Sequence, residues 1–318
     1  PQAMTEPAET ARAIAKCNRG EKPILACFMG GVDVMPGREE LVAHHLPDYT
    51  SPDRAVASLK AMWDYAQWLN RPPRIVRRFP VNRRRVERII QRHIRSGQYQ
   101  VGEAAAKDIL RAYDFEVPEG ALAIDVDAAI DTAERIGYPV AMKIASQDII
   151  HKSDMGGVKL NLADGDAVRD AYDLMMLRMS QRAPNARIEG VYIEKMCPKG
   201  REVILGMTRD PQFGPMLMFG LGGIFVEVMK DVTFHIAPIT EEEAMDMLES
   251  TKSYSLLRGV RGQASVDVAA IATSLQRISQ LVTDFPEIAE MDINPFMVGQ
   301  LGKPSTAADA RITLKPQE

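Results

Sequence analysis

Apolar runs and amphipathic repeats alternate along the chain, and their spacing predicts helices and strands in turn. Residues 5–19 place Ala11, Ile14 and Ala15 on one helical face, with Thr5 as the expected N-cap and Pro7 near the first turn. The run PILACFM, 23–29, is apolar throughout and predicts a fully buried strand ending at Gly30-Gly31. A helix is expected over 37–45. Ser51-Pro52-Asp53 joins a capping hydroxyl, a proline at the first helical position and an acid in the first turn, so a long helix should run to about Leu69. This stretch has too few strands for an α/β unit. A buried parallel strand needs neighbours, which would have to come from sequence before Pro1 or from another chain. A chain that opens at Pro1, inside what reads as a folded unit, is expected to be a fragment of a longer polypeptide.

Residues 71–97 are rich in arginine and punctuated by proline, and are expected to be a basic linker rather than a nucleic-acid surface, because Phe79 is the main aromatic among the arginines. A second unit begins near Val101. Helices are expected over 103–113, 125–136, 167–179, 241–248 and 266–284. Strands are expected over 139–144, 158–162, 188–196, 202–207, 215–220, 225–229, 290–298 and 309–314.

Composition narrows the class. With 318 residues, 46% of them apolar, the chain can bury the cores of two or three domains. A net charge of −4 gives no overall attraction to nucleic acid or anionic lipid. Cys17, Cys27 and Cys197 are far apart and form no CxxC pair, which points away from zinc and disulfides and towards a reducing cytoplasm. No apolar run approaches the roughly 20 residues needed to span a bilayer.

The candidate chemistry gathers in the loop 143–158, KIASQDIIHKSDMGGV. Lys143 can neutralise phosphate, the Gly156-Gly157 pair can bring backbone N–H groups close to an anion, and His151 reads either as a surface histidine or as a phosphoryl acceptor. Asp292 and Asn294 alternate in an apolar strand, so both project from one face, where a divalent metal bound to phosphate would satisfy them. Asp309 stands just before the final strand and could reach the same ion. Gly222 and Gly223 form a cluster that is either a tight turn or a phosphate loop. Glu194, Lys195 and Met196 end a strand, with Glu202 shortly after; they read as an exposed strand end or as a hinge for adenine and ribose.

Taken in order, these runs resemble the ATP-grasp fold, an α/β (α+β) arrangement of two subdomains. More closely, they resemble the ATP-grasp part of the NDP-forming acyl-CoA synthetases, the family of ADP-forming acetate–CoA ligase. The matching runs are GYPVAMKIASQDIIHKSDMGGVKLNL, VYIEKMCPKGREVILG, GLGGIFVEV, LLRGVRG, EMDINPF and DARITL, over roughly residues 101–316. PQAMTEPAETA and YTSPDRAVASL resemble the end of the flavodoxin-like, succinyl-CoA-synthetase-like ligase domain that precedes ATP-grasp in fused members.

The resemblance implies residues 1–70 as the end of that ligase domain, 71–97 as linker, 98–193 as the small ATP-grasp subdomain and 194–318 as the large one. It implies an acid, ATP and CoA converted reversibly to acyl-CoA, ADP and phosphate through phosphohistidine. His151 would be the second phosphoryl carrier and Asp292 its supporting carboxylate. Asn294 and Asp309 would bind Mg²⁺. Lys143, Gly156, Gly157, Glu194, Lys195, Met196, Glu202, Gly222 and Gly223 would surround the nucleotide, ATP or ADP. CoA would bind an upstream domain, in the same polypeptide or a partner subunit, within an oligomer. A succinyl-CoA-type ligase and the nucleotide-sensing pseudo-ligase part of a protein acetyltransferase are the competing readings.

Overall fold

The structure is a computed structural model that describes residues 5–70, 73–146, 148–149, 152–222, 230–259 and 264–316. It divides into two units, Pro1–Arg74 and Ile75–Glu318.

The first unit contains α1 (Pro7–Cys17), β1 (Ala26–Cys27), a 3-10 turn (Val32–Val34), α2 (Met35–Ala43), β2 (Asp48–Tyr49) and α3 (Pro52–Leu69). Glu6, not Thr5, takes the cap position of α1. The strand expected over 23–29 shrinks to the two residues of β1, which among the described residues pairs in parallel with β2 alone, because a strand persists only where a neighbour accepts its hydrogen bonds. Ala11, Phe28, Val34, Leu41 and Leu46 make a small core. Gly37 lies against the Phe28 ring, where a Cβ would sit 2.6 Å from Cε2 and no larger residue would fit.

The second unit runs through α4 (Arg83–Arg95), β3 (Gln100–Val101), α5 (Glu103–Ala112), β4 (Gly120–Ala123), α6 (Val126–Ile136), β5 (Val140–Ser146), β6 (Val158–Leu162), α7 (Gly165–Arg182), β7 (Ile188–Lys195), β8 (Arg201–Asp210), β9 (Gly214–Leu221) and β10 (Val232–Ile236). It continues with α8 (Glu241–Glu249), α9 (Tyr254–Leu257), α10 (Val268–Asp284), β11 (Ile288–Val298), β12 (Thr306–Ala307) and β13 (Ala310–Leu314). The strand expected over 225–229 lies outside the described residues.

Two antiparallel sheets organise this unit. The smaller has the order β4-β7-β5-β6; the larger runs β10-β9-β8-β11-β13-β3, with β12 added to β11. Alternation decides their faces. Val140, Met142 and Ile144 of β5 point into a core with Ala129 and Ala133 of α6 and Val168, Met175 and Met179 of α7. Ile293 and Met291 of β11, Leu205 of β8 and Phe219 of β9 pack with Ile271, Leu275 and Ile278 of α10. Asp125 opens α6, its carboxylate accepting from Ala128 N–H at 2.8 Å, whereas the Ser51 hydroxyl expected to cap α3 sits at the N-cap without a side-chain capping bond.

The expected linker over 71–97 is corrected by α4. Val86, Ile90 and Ile94 recur at helical spacing and are buried in the same core as α10, so Arg84, Arg88, Arg92 and Arg95 form the solvent face of an amphipathic helix. The expected small subdomain, 98–193, also begins later. β3 pairs with β13 of the larger sheet, and Ala106, Ile109 and Leu110 of α5 join the larger core, so the small sheet occupies Gly120–Lys195. Among the described residues no helix is long and apolar enough to cross a membrane.

Candidate nucleotide and phosphoryl-transfer site

β5 turns its apolar side chains to the helices, so Lys143 projects from the opposite face, where it is only 6% exposed. β7 does the same with Glu194, which is 2% exposed, and α5 lies over both with Glu103 and the fully buried Lys107. Ions removed from water must be paired, and these are. Lys143 Nζ meets Glu103 Oε1 at 2.8 Å and Glu194 Oε1 at 2.8 Å, and donates to the Ala308 carbonyl at 2.9 Å. Lys107 Nζ meets Glu103 Oε1 at 2.9 Å, bonds the other oxygen of Glu194, and stands over the Tyr192 ring. Lys152, from the loop after β5, pairs with Glu103 Oε2. Three ammonium groups thus face two carboxylates, which leaves one net positive charge in the cluster.

Burial by itself would push the Glu103 carboxyl up, yet Lys143, Lys107 and Lys152 hold it well below the ordinary carboxylate range. For Lys143, burial would push the ammonium down, but Glu103, Asp309 and Glu194 hold it above the ordinary lysine range. Burial, with Glu194 and Glu103 nearby, pushes the Tyr192 phenol up to about 12. Burial and the Glu194 charge also push up the Cys197 thiol.

The bond from Lys143 to Ala308 joins the small sheet to the residue preceding Asp309. On β11, Glu290, Asp292 and Asn294 share the face away from the core, while Met291 and Ile293 are buried between them. The Asn294 N–H donates to the Asp309 carbonyl at 3.2 Å, so the strand end and the loop before β13 lie side by side. Among the described residues no group of three or more His, Cys, Asp or Glu could hold a metal. An amide oxygen and a carboxylate on adjacent chain segments instead fit Mg²⁺, which keeps water and takes phosphate oxygens rather than filling a protein cage. A cavity of about 320 Å³ is lined by Asp292, Asp309, Glu290, Arg311, Glu103 and Lys152, among others.

The other expected residues divide. Lys195 is exposed, and its N–H donates to the Glu119 carbonyl; Met196 is half-buried, and its N–H reaches the Pro139 carbonyl at 3.4 Å. Glu194 is no exposed strand end, since its carboxylate is bound by two lysines. Glu202 is exposed at the start of β8, and Gly222 packs on it, where a Cβ would lie 3.2 Å from Glu202 Cβ. His151 and Gly223 lie outside the described residues.

The phosphate cradle expected from Gly156 and Gly157 is corrected. Gly156 N–H donates to the Ser153 carbonyl and Gly157 N–H to the Lys152 carbonyl at 2.7 Å, so both donors are already spent. Glycine is required here for other reasons. Gly156 has φ +75°, and a Cβ on Gly157 would strike Ile144 Cγ2 at 2.5 Å. Sequence reasoning did not single out Glu103, Lys107 or Lys152. The available signal was the Glu103–Lys107 spacing of four on a helix, which resembles any solvent-facing ion pair.

Residues 92–314 match the family model for an ATP-grasp domain. The chain is 44% identical over 283 residues to acetate–CoA ligase [ADP-forming] I of Archaeoglobus fulgidus, a match covering 88% of this chain and 41% of that protein. It is 47% identical over 212 residues to the β subunit of acetate–CoA ligase [ADP-forming] I of Pyrococcus furiosus, covering 67% of this chain and 90% of the subunit. Among solved structures, acetyl-coenzyme A synthetase 1 of Ca. Korarchaeum cryptofilum, in complex with coenzyme A, Ca-AMPCP and HgCl+, superposes with a TM-score of 0.70. The two are 40% identical, over 72% of this chain and 99% of that one. The chain therefore spans about two-fifths of the length of the longer ligase that it matches.

Proposed function

The chain belongs to the ATP-grasp family, in the branch of the ADP-forming acetate–CoA ligases, and from that premise we propose that it is the nucleotide-binding, phosphoryl-transferring part of an acid–CoA ligase. The overall reaction is acid, ATP and CoA to acyl-CoA, ADP and phosphate, in either direction.

The observation that carries this reading is the Lys143–Ala308 bond, which sets a buried cation of the small sheet against the residue before Asp309. A nucleotide lying between the two sheets would meet the Lys143 charge on one side and Asn294 with Asp309 on the other. Mg²⁺ bound there would supply charge neutralisation at the phosphate oxygens. The strand end at 194–196 would line the adenine, and Glu202 would meet the ribose. In the transfer step an imidazole nitrogen of His151 forms the N–P bond as the bond between the γ-phosphorus and the oxygen of ADP breaks. Asp292 holds the second ring nitrogen in the required tautomer.

CoA and the acid would bind upstream domains. The separate β subunit in Pyrococcus furiosus supports a partner subunit as one source of them. Three free cysteines suit a reducing cytoplasm.

Incubation with γ-labelled ATP and Mg²⁺ tests the half-reaction. The expected result is an acid-labile, alkali-stable phosphoryl label on the wild-type chain and none on His151→Ala. A wild-type chain that stays unlabelled, or a variant that labels equally, refutes it.

A further inference from the structure

Counting donors separates the three lysines. An ammonium group has three N–H bonds and no acceptor. Lys143 donates to Glu103 Oε1 and to the Ala308 carbonyl and is ion-paired with Glu194 Oε1 at 2.8 Å, so three oxygens surround it. Lys107 is bonded to both glutamates, and its side chain is 1% exposed beneath Tyr192. Lys152 differs. Among the described residues its partner is Glu103 Oε2, and its side chain is 14% exposed. It lines the 320 Å³ cavity that also holds Asp292 and Asp309, and a second cavity of about 360 Å³ that Glu103 lines too.

We infer that Lys152 is the lysine that donates hydrogen bonds to a nucleotide phosphate, and that Glu103 is the positioning residue that aims it. Lys143 then acts on the phosphates as a fixed charge, without giving up its partners. This rests on the nucleotide reading above and deepens it.

Glu103 suits the role because its two oxygens point at different elements. Oε1 receives Lys107 and Lys143, both locked in the buried cluster, which immobilises the carboxylate; Oε2 is thereby presented to Lys152. The Lys152 main chain is held as well, since its carbonyl accepts from Gly157 N–H, and Gly157 in turn accepts from Ile144 N–H of β5. A side chain with four rotatable bonds is thus fixed at its base and steered at its tip. Among the described residues Lys152 makes one hydrogen bond, to Glu103 Oε2, so its other N–H bonds could meet phosphate oxygens without breaking the buried cluster.

Titration calorimetry of MgADP into the full chain tests this, with unchanged circular dichroism as the control for folding. Lys152→Met is expected to raise the MgADP dissociation constant at least tenfold, and Lys152→Arg to stay within threefold of wild type. Glu103→Gln should weaken binding by a similar factor, and the Lys152→Met/Glu103→Gln pair no further, because the two act as one unit. The inference is overturned if wild type binds MgADP while Lys152→Met binds within threefold of it, or if the two substitutions multiply. Wild type that fails to bind MgADP overturns the nucleotide reading itself. Wild type that binds nucleotide but takes no label on His151 removes only the carrier step.

Discussion

Lys107 of α5 and Glu194 of β7 stand 87 residues apart in sequence and share a buried hydrogen-bonded ion pair, with the carboxylate also held by Lys143. The pair ties the helix that belongs to the larger core to the central strand region of the small sheet. It therefore fixes where the small sheet can sit relative to α5, and with it the placing of Lys143 against Ala308.

Lys107→Met should destabilise the chain by about 1.5–3 kcal/mol, because Glu103 and Glu194 each lose a charged hydrogen bond while keeping Lys143 as a counter-ion. Urea denaturation measures this directly. A change under about 0.5 kcal/mol would mean that the pair does not hold the two parts together.

Stability should also fall at both ends of the pH scale. The Glu103 carboxyl is held below its ordinary value in the fold by Lys143, Lys107 and Lys152, despite burial. As pH drops through about 4.3, the unfolded carboxylate takes up a proton before the folded one, so unfolding is favoured. Lys143 is held above its ordinary value by Glu103, Asp309 and Glu194. The unfolded lysine loses its proton first as pH rises past about 10.4, which again favours unfolding. The cluster's contribution is complete between those limits. Thermal melts across the range should show a plateau with two falling limbs, and Glu103→Gln should flatten the acidic limb; an unchanged acidic limb in that variant would count against the assignment.

The helix α4 offers a contrast between its two faces. Ile90 is 1% exposed in the core, whereas Arg88 faces solvent. Ile90→Ala should cost about 2–5 kcal/mol. Arg88→Ala should change stability by less than about 0.5 kcal/mol. A flexible linker would tolerate both, so equal and small effects in denaturant melts would argue against the buried face.

How much was legible follows from the range of each interaction. The helices expected over 125–136 and 167–179 were readable because an apolar repeat is local, while their caps, Asp125 and Asp164, were not singled out. The shared face of Asp292 and Asn294 was readable because strand alternation is local. The α4 stripe of Val86, Ile90 and Ile94 was present but masked by the surrounding arginines, which drew the segment towards a linker. The Gly156-Gly157 pair was recognised as important for the wrong donor. Its N–H groups close the turn, and only the turn's path shows that.

The sequence by itself determined much of the order of elements and the ATP-grasp resemblance, and it named candidates for the proposed nucleotide site, since motif spacing and periodicity are properties of neighbours along the chain. Tertiary structure alone decided what the charged residues do. Glu103 and Lys107, four apart on a helix, have the pattern of a solvated pair until the small sheet covers them and brings Lys143 and Glu194 within bonding distance. Burial turns those charges from interchangeable surface groups into a network in which each charge has an assigned partner, because an unpaired ion out of water is too costly to keep. That Lys152 has one partner among the described residues, where Lys107 and Lys143 have several, is visible only against that network.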